Sequence, residues 1–178
     1  NEFGLSMSFL KDRFQFNGSY YNTKTTDLIT SVTPGPSTGS IRNLTNIGQM
    51  TSSGVELTLG GTVLKVKDFK WNLNVNYTKS KTIVDEITSG VTEVQVQSSS
   101  TGGAGIYAVV GEVFPQLKAT GYERDPNGNI VIDAASGNPE IGQLQNLGRT
   151  TPDYVLGLTS SMNYKGFTLA ATMDYRTG

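Results

Sequence analysis

Six segments of this chain alternate apolar and polar residues with a period of two, and no other feature restricts its fold as strongly. In an extended strand, successive side chains point to opposite faces, so each segment reads as a strand with two chemically different sides. The first sets Leu5, Met7 and Phe9 against Gly4, Ser6 and Ser8, and the second sets Phe14, Phe16 and Tyr20 against Gln15, Asn17 and Ser19. The third sets Val55, Leu57 and Leu59 against Gly54, Glu56, Thr58 and Gly60. In the fourth, Phe69, Trp71, Leu73, Val75 and Tyr77 oppose Asn72, Asn74, Asn76 and Thr78. The fifth has Tyr154, Leu156, Leu158, Met162 and Tyr164 facing away from Gly157, Thr159, Ser161 and Asn163. The sixth has Phe167, Leu169, Ala171, Met173 and Tyr175 facing away from Thr168, Thr172, Asp174 and Arg176. Most segments run for about nine to eleven residues, the length that crosses a bilayer when tilted. Strands of soluble proteins are nearer five or six.

The connections alternate too. Lys11-Asp12-Arg13, Lys65 to Asp68 and Lys165-Gly166 are short, whereas residues 23–52 and 80–153 form long loops. Short turns on one rim and long loops on the other is the layout of outer-membrane barrels, with periplasmic turns and extracellular loops. Phe9, Phe14, Phe69, Trp71, Tyr164 and Phe167 cluster beside the short turns, and Tyr20, Tyr77, Tyr154 and Tyr175 lie near the opposite strand ends. At about 2.5 Å of rise per tilted residue, eight to ten residues separate two aromatic girdles by roughly 20–25 Å. Phe14 to Tyr20 and Trp71 to Tyr77 are closer, at about 15 Å.

A soluble β-sandwich explains the alternation equally well. It explains less well the strand length, the loop alternation and a polar face of Asn, Ser, Thr and Gly. Only 16% of residues are charged and 36% are apolar, which suits strands and polar loops rather than helices. The expected fold is therefore all-β: antiparallel up-and-down strands forming part of a transmembrane β-barrel, with six long strands and long extracellular loops. Six strands cannot close such a barrel, since the smallest have eight. An open edge in lipid leaves backbone groups unpaired at several kcal/mol each. Residues 1–178 are thus expected to be a fragment of a larger barrel domain, lacking the remaining strands.

The chemistry that composition excludes is broad. There is no cysteine and no histidine, so disulfides, thiol nucleophiles and Ser–His–Asp arrangements are absent. A net charge of −1 with scattered Lys and Arg gives no pull toward nucleic acid. Gly102-Gly103-Ala104-Gly105 lacks the Lys-Ser/Thr of a phosphate loop. The surrounding stretch, residues 98–105, reads as a mobile loop. No enzyme and no cofactor are expected.

The segments resemble the C-terminal part of the barrel of SusC/RagA-type TonB-dependent transporters. Glu2-Phe3-Gly4, Arg13-Phe14, Tyr20-Tyr21 and Thr26-Asp27-Leu28-Ile29 are similar to that family's strand–turn–strand and its YY…TxDLI ending. Asn46-Ile47-Gly48-Gln49-Met50 with Gly54-Val55-Glu56-Leu57 is similar to its N-x-G-x-x…N-K-G-V-E-L, although Ser52-Ser53 stand where Asn-Lys is usual. Phe69-Lys70-Trp71 with Asn74 and Asn76, Tyr122 to Asp133, Leu147-Gly148 with Pro152-Asp153, and Tyr164-Lys165-Gly166-Phe167 continue the series in order. The resemblance implies an outer-membrane protein of a Gram-negative bacterium that imports oligosaccharides or peptides with energy from TonB. It also implies a SusD-like surface lipoprotein as partner, with the plug domain and TonB contact N-terminal to this stretch. A secreted β-sandwich adhesin or carbohydrate-binding module, and a passive porin-like barrel, remain as other readings.

Candidate site residues follow. Glu56, Asn72, Asn74, Asn76, Asp174 and Arg176 lie on the polar face and would line the lumen. Tyr107, Phe114 and Tyr122 in the second long loop could meet a ligand or the lid protein. Asp125, Asn127, Asn129 and Asp133 resemble a calcium loop, but the bidentate Glu of an EF-hand would fall at Ser136. Asn127-Gly128 is a strong hairpin signal leading into a strand over 130–133, and that is the preferred reading.

Overall fold

A computed structural model of the chain describes residues 1–32, 39, 43–46, 48–88, 90–100 and 102–178. Residue 47 of the Asn46–Met50 motif, residue 101 of the 98–105 stretch, and 33–38 and 40–42 of the first long loop lie outside the described residues. The strands are β1 (Glu2–Phe9), β2 (Phe14–Thr25), β3 (Ile29–Val32), β4 (Asn43–Asn46), β5 (Gln49–Val66), β6 (Phe69–Glu86) and β7 (Glu93–Ser98). They continue with β8 (Ala104–Val109), β9 (Val113–Phe114), β10 (Gln116–Tyr122), β11 (Ile141–Arg149), β12 (Tyr154–Tyr164) and β13 (Phe167–Thr177). The chain divides into two compact units. One comprises Asn1–Lys24, Thr51–Thr82 and Thr151–Gly178, and the other Thr25–Met50 and Ile83–Thr150.

The six expected strands lie in one seven-stranded sheet, ordered β1-β2-β5-β6-β12-β13, with the two-residue β9 paired to β6 off this path. Neighbours in this order are neighbours in sequence among the long strands, and β1–β2, β6–β12 and β12–β13 are antiparallel. The register gathers most apolar side chains on one face, with Ser160 opposite Leu73 as an exception. Met7 lies opposite Phe16, Phe9 opposite Phe14, Leu158 opposite both Val75 and Met173, and Met162 opposite both Trp71 and Leu169. One residue along, Thr159 lies opposite both Asn74 and Thr172, and Asn163 opposite Lys70 and Thr168. A slip of one residue would exchange the two faces, so the alternation excludes every odd shift of this register.

What covers the apolar face decides what kind of sheet this is. Among the described residues the buried apolar side chains are Met50, Val84, Ile87 and Ala108, all in the second unit. The first unit instead leaves Leu5, Met7, Leu59, Leu169 and Met173 exposed, and Phe167 is 81% exposed. A sandwich would lay a second sheet over these side chains; among the described residues no sheet covers them. Aromatic rings line both ends of the face. Phe9 and Phe14 stack at 5.7 Å beside a short turn, and Tyr154 sits 5.6 Å from Tyr77 and 6.3 Å from Tyr175 at the other end.

The short turns use strained backbone. Leu10, Lys11 and Asp12 all have φ near +60°, and the Lys165-Gly166 turn has φ of 45° and 86°. Positive φ at both central positions is the type I′ hairpin geometry. Arg13 ties the first turn to the neighbouring strand: its guanidinium donates to the carbonyls of Thr62 and Val63, and it lies 5.6 Å from the Phe14 ring centroid.

The long connections differ from the loops expected of them. β2 runs on to Thr25, β5 starts at Gln49, and both β5 and β6 reach 18 residues. The second unit contains a four-stranded sheet, β11-β10-β8-β7, and the β3–β4 pair. It has its own core, formed by Met50, Val84, Ile87 and Ala108 with Leu28, Val94, Val96 and Phe114 against them. Apolar side chains that meet each other there make a folded unit of what composition marks as loop. Ser99, Ser100, Gly102 and Gly103 lie between the paired strands β7 and β8, and Ala104 and Gly105 of the Ser/Thr/Gly stretch are already in a strand. The Asn127-Gly128 turn is present, with Gly128 N–H donating to the Asp125 carbonyl at 2.9 Å. The segment after it pairs through isolated bridges, Arg124 with Ile130 and Ile132 with Pro139, rather than as a continuous strand.

Candidate functional site

The polar face of the first unit carries the densest array of unspent hydrogen-bonding groups. Rungs of side chains cross it between β5 and β6. Thr62 Oγ1 donates to Asn72 Oδ1 at 2.9 Å, Thr58 Oγ1 to Asn76 Oδ1 at 3.2 Å, and Ser52 and Thr82 hydroxyls meet at 2.8 Å. Further across, Thr159 and Thr172 hydroxyls lie 3.4 Å apart, and Thr168 donates to Asn163 at 2.7 Å. Between the Thr62–Asn72 and Thr58–Asn76 rungs stands Asn74, beside Gly60, where an added Cβ would lie 3.6 Å from its amide. Glycine offers no partner, and the Asn74 amide makes no side-chain hydrogen bond among the described residues.

That gap opens a concavity of about 340 Å³. Asp12, Arg13, Gln15, Thr62, Asn72, Asn74, Thr159 and Ser161 supply its polar wall, with Gly60 and Gly61 as its floor. Its groups are amides and hydroxyls with one carboxylate, Asp12, and one guanidinium, Arg13, which is spent on the Thr62 and Val63 carbonyls.

Of the residues expected on this face, Asn72, Asn74 and Asn76 sit together on β6, and Glu56 is exposed on β5 between Gly54 and Thr58. Asp174 and Arg176 lie on β13, opposite Gly157 and Val155, and the structure does not bring them to the concavity. The alternation puts Gln15, Gly60 and Ser161 on the polar face without singling them out, and it passes over Arg13. The doublet Gly60-Gly61 is the signal for the floor, since it removes the side chains of two successive positions, one on each face of β5.

In the second unit the three aromatic candidates separate. Tyr107 lies on β8 opposite Gln116 and Gln95, with the Lys118 ammonium 5.3 Å from its ring centroid. Lys118 is also paired with Glu93. Phe114 packs against the Met50–Val84–Ile87–Ala108 core, and Tyr122 is exposed opposite Ile141.

Asp125 and Asp133 each close a turn of their own. The Asp125 carboxylate accepts from the Asn127 and Asn129 backbone N–H groups at 2.9 and 2.8 Å and from Asn129 Nδ2 at 3.1 Å. Asp133 accepts from Ser136 Oγ at 2.6 Å and from the N–H groups of Ala135 and Ser136. The Asn129 amide is the chief cause holding Asp125 below the usual carboxylate range, and the Ser136 hydroxyl does the same for Asp133. Among the described residues, no group of three or more acidic side chains is placed to hold a metal ion.

Comparison with known proteins extends this picture. Residues 1–176 match the family described as TonB dependent receptor-like, beta-barrel. TonB-dependent receptor P3 of Formosa agariphila is 25% identical over 190 residues, covering 93% of this chain and 19% of that protein. TonB-dependent receptor SusC of Bacteroides thetaiotaomicron is 28% identical over 183 residues, covering 92% of this chain and 18% of that protein. The chain thus spans about a fifth of the length of the curated relatives it matches. A structure titled as that of the RagAB peptide transporter superposes with a TM-score of 0.75 at 20% identity, over 98% of this chain and 20% of that one, and shares its fold.

Proposed function

This chain belongs to the TonB dependent receptor-like β-barrel family, and on that premise we propose that it is a section of an outer-membrane importer of oligosaccharides or peptides. The observation that carries the reading is the six-strand sheet, with one face apolar and uncovered and the other polar and hydrogen-bonded. Lipid is the medium that favours such an apolar face, and a water-filled lumen suits the other. The exposed edges of β1 and β13 then pair with further strands of the same protein, since unpaired backbone in the hydrocarbon region costs several kcal/mol per group. On this reading Glu56, Asn72, Asn74, Asn76, Asp174 and Arg176 face the lumen. The short turns are periplasmic, and the second unit with Tyr107 and Tyr122 is extracellular. The names of SusC and RagAB among its relatives support nutrient uptake powered through TonB. They also support a SusD-like lipoprotein partner on the extracellular side.

The test is uptake by cells carrying or lacking the complete gene, with membrane fractionation of the product. Import requires the protein in the outer membrane, loss of uptake on deletion, and loss again when the proton-motive force is collapsed by a protonophore. Uptake that persists with the protonophore would point to a passive barrel instead. A product found only in the soluble fraction would end the membrane reading.

A further inference from the structure

We infer that the outward face of the sheet seats one phosphorylated membrane lipid at its extracellular end: Lys24, Lys79 and Lys81 hold the headgroup, and an apolar hollow over Gly18 takes an acyl chain. The alternation continues past the tyrosines of that end. β2 runs on to Thr25, so Lys24 follows Phe14, Phe16 and Tyr20 on the same side. The Thr62–Asn72, Thr58–Asn76 and Ser52–Thr82 rungs keep β5 and β6 in one register, so Lys79 and Lys81 follow Tyr77 on the outward side. All three lysines are exposed, and among the described residues none is paired with an acid. The acids Glu2, Glu56 and Asp174 lie on the opposite, polar face. Among the strand residues of the first unit, the outward rim at this end therefore carries positive charge alone.

The cations stand close enough to act together. Tyr21 lies beside Gly54 and Ser52 beside Thr82, which puts Lys24 level with Thr51 and Lys81 level with Ser53 on the strand between them. Lys24 and Lys81 are thus two strand spacings apart, about 10 Å, with an offset of about 7 Å along the strands. Lys79 follows Lys81 at a further step of about 7 Å. Flexible four-carbon stems let these ammonium groups converge on one phosphate headgroup. The surface below makes that phosphate a lipid's. Gly18 breaks the row of large outward side chains between Phe16 and Tyr20, and lies in the floor of a hollow of about 310 Å³ between Leu5 and Leu57. A Cβ at position 18 would come within 3.1 Å of the Phe16 ring and 3.2 Å of Leu57, so any side chain there would displace these walls. The hollow is six residues below Lys24 on the same face, about 15 Å at the tilted rise. A chain descending from a headgroup at Lys24 passes Tyr20 and enters it. The inference rests on the import reading only in placing this face in lipid with the tyrosine end extracellular.

The experiment titrates the complete protein, purified in a neutral detergent, with dioleoyl phosphatidic acid, dioleoyl phosphatidylcholine and glycerol 3-phosphate, and counts bound molecules by native mass spectrometry. Wild type is expected to bind phosphatidic acid about tenfold or more tighter than phosphatidylcholine, from two or three lysines near the headgroup. Lys24→Ser and Lys81→Ser should each weaken phosphatidic acid about fivefold. Lys70→Ser, which removes the same charge from the polar face opposite Asn163, should stay within about twofold of wild type. Gly18→Leu, which fills the hollow, should weaken phosphatidic acid about fourfold, the loss of one buried methylene. Heat-modified gel migration identifies any variant that fails to fold, and the lysine variants then decide. Equal affinity for the two lipids, or wild-type affinity in the combined Lys24→Ser and Lys81→Ser variant, overturns the seat. Glycerol 3-phosphate bound as tightly as phosphatidic acid overturns it too, since the ligand is then a soluble anion. Uptake in cells separates the two readings. Import by a protein with no preference between the lipids leaves the importer standing without this seat. Lysine-dependent lipid binding in a protein whose deletion leaves uptake intact retains the seat and removes the importer.

Discussion

Leu158 and Thr159 are adjacent in β12 and therefore at the same depth, yet they point to opposite faces. Leu158 lies opposite Val75 and Met173, and Thr159 opposite Asn74 and Thr172. In a bilayer, Leu158→Arg places a cation against lipid. Tyr154 and Tyr164 bound the strand, and the tilted rise of about 2.5 Å per residue separates them by roughly 25 Å. Leu158 then falls within about 3 Å of the midplane, where an outward Arg costs about 2–4 kcal/mol. Thr159→Arg projects into a polar face and should cost under about 1 kcal/mol. Phe167→Arg, outward but at the turn, should cost only about 0–1 kcal/mol. The assay is denaturant unfolding of the complete protein in lipid vesicles, read by tryptophan fluorescence. Equal costs at 158 and 159 would refute the assignment of faces. A Phe167→Arg cost as large as that of Leu158→Arg would refute the depth argument, because a protein core penalises charge without regard to distance from the aromatic rims.

Removing the Arg13 guanidinium should lower stability by about 1–2 kcal/mol in Arg13→Ala, since two carbonyls of β5 lose their donor. An unchanged denaturation midpoint would show that solvent replaces it. Lys165→Asn should stabilise the β12–β13 hairpin by about 0.5 kcal/mol, because Asn tolerates the φ of 45° better than Lys does. A lowered midpoint would mean that the Lys165–Tyr164 cation–π contact outweighs the backbone gain. The Asp125 and Asp133 carboxylates are held below their usual range by their turn partners, so their contribution to local order is complete above that range. It is lost as pH falls through the lowered values, and hydrogen exchange of the 123–140 segment should quicken there. Asp125→Asn combined with Asp133→Asn should remove that acceleration, and its persistence would assign the pH dependence to other groups.

The alternation in residues 4–9, 14–20, 54–60, 69–78, 154–164 and 167–176 determined the six long strands, their order and both faces. It could do so for the faces because a period of two lets no odd slip keep Leu158, Val75 and Met173 on one side. The same pattern singled out Asn72, Asn74 and Asn76. It said nothing of 83–150 as a folded unit, because Val84, Ala108 and Phe114 are scattered along the chain and acquire a shared core only when the strands bring them together. The gap at Gly60 was likewise invisible. A glycine in a strand reads the same whether a Tyr hydroxyl would clash with any side chain there, as at Gly54, or an amide stands at ordinary contact distance, as Asn74 does at Gly60. Which of these holds depends on the residue across the sheet, and strand pairing fixes that partner at a distance in sequence that no local pattern spans. Tertiary structure alone also decided that the apolar face is uncovered, since burial belongs to the neighbours a side chain meets and not to the side chain.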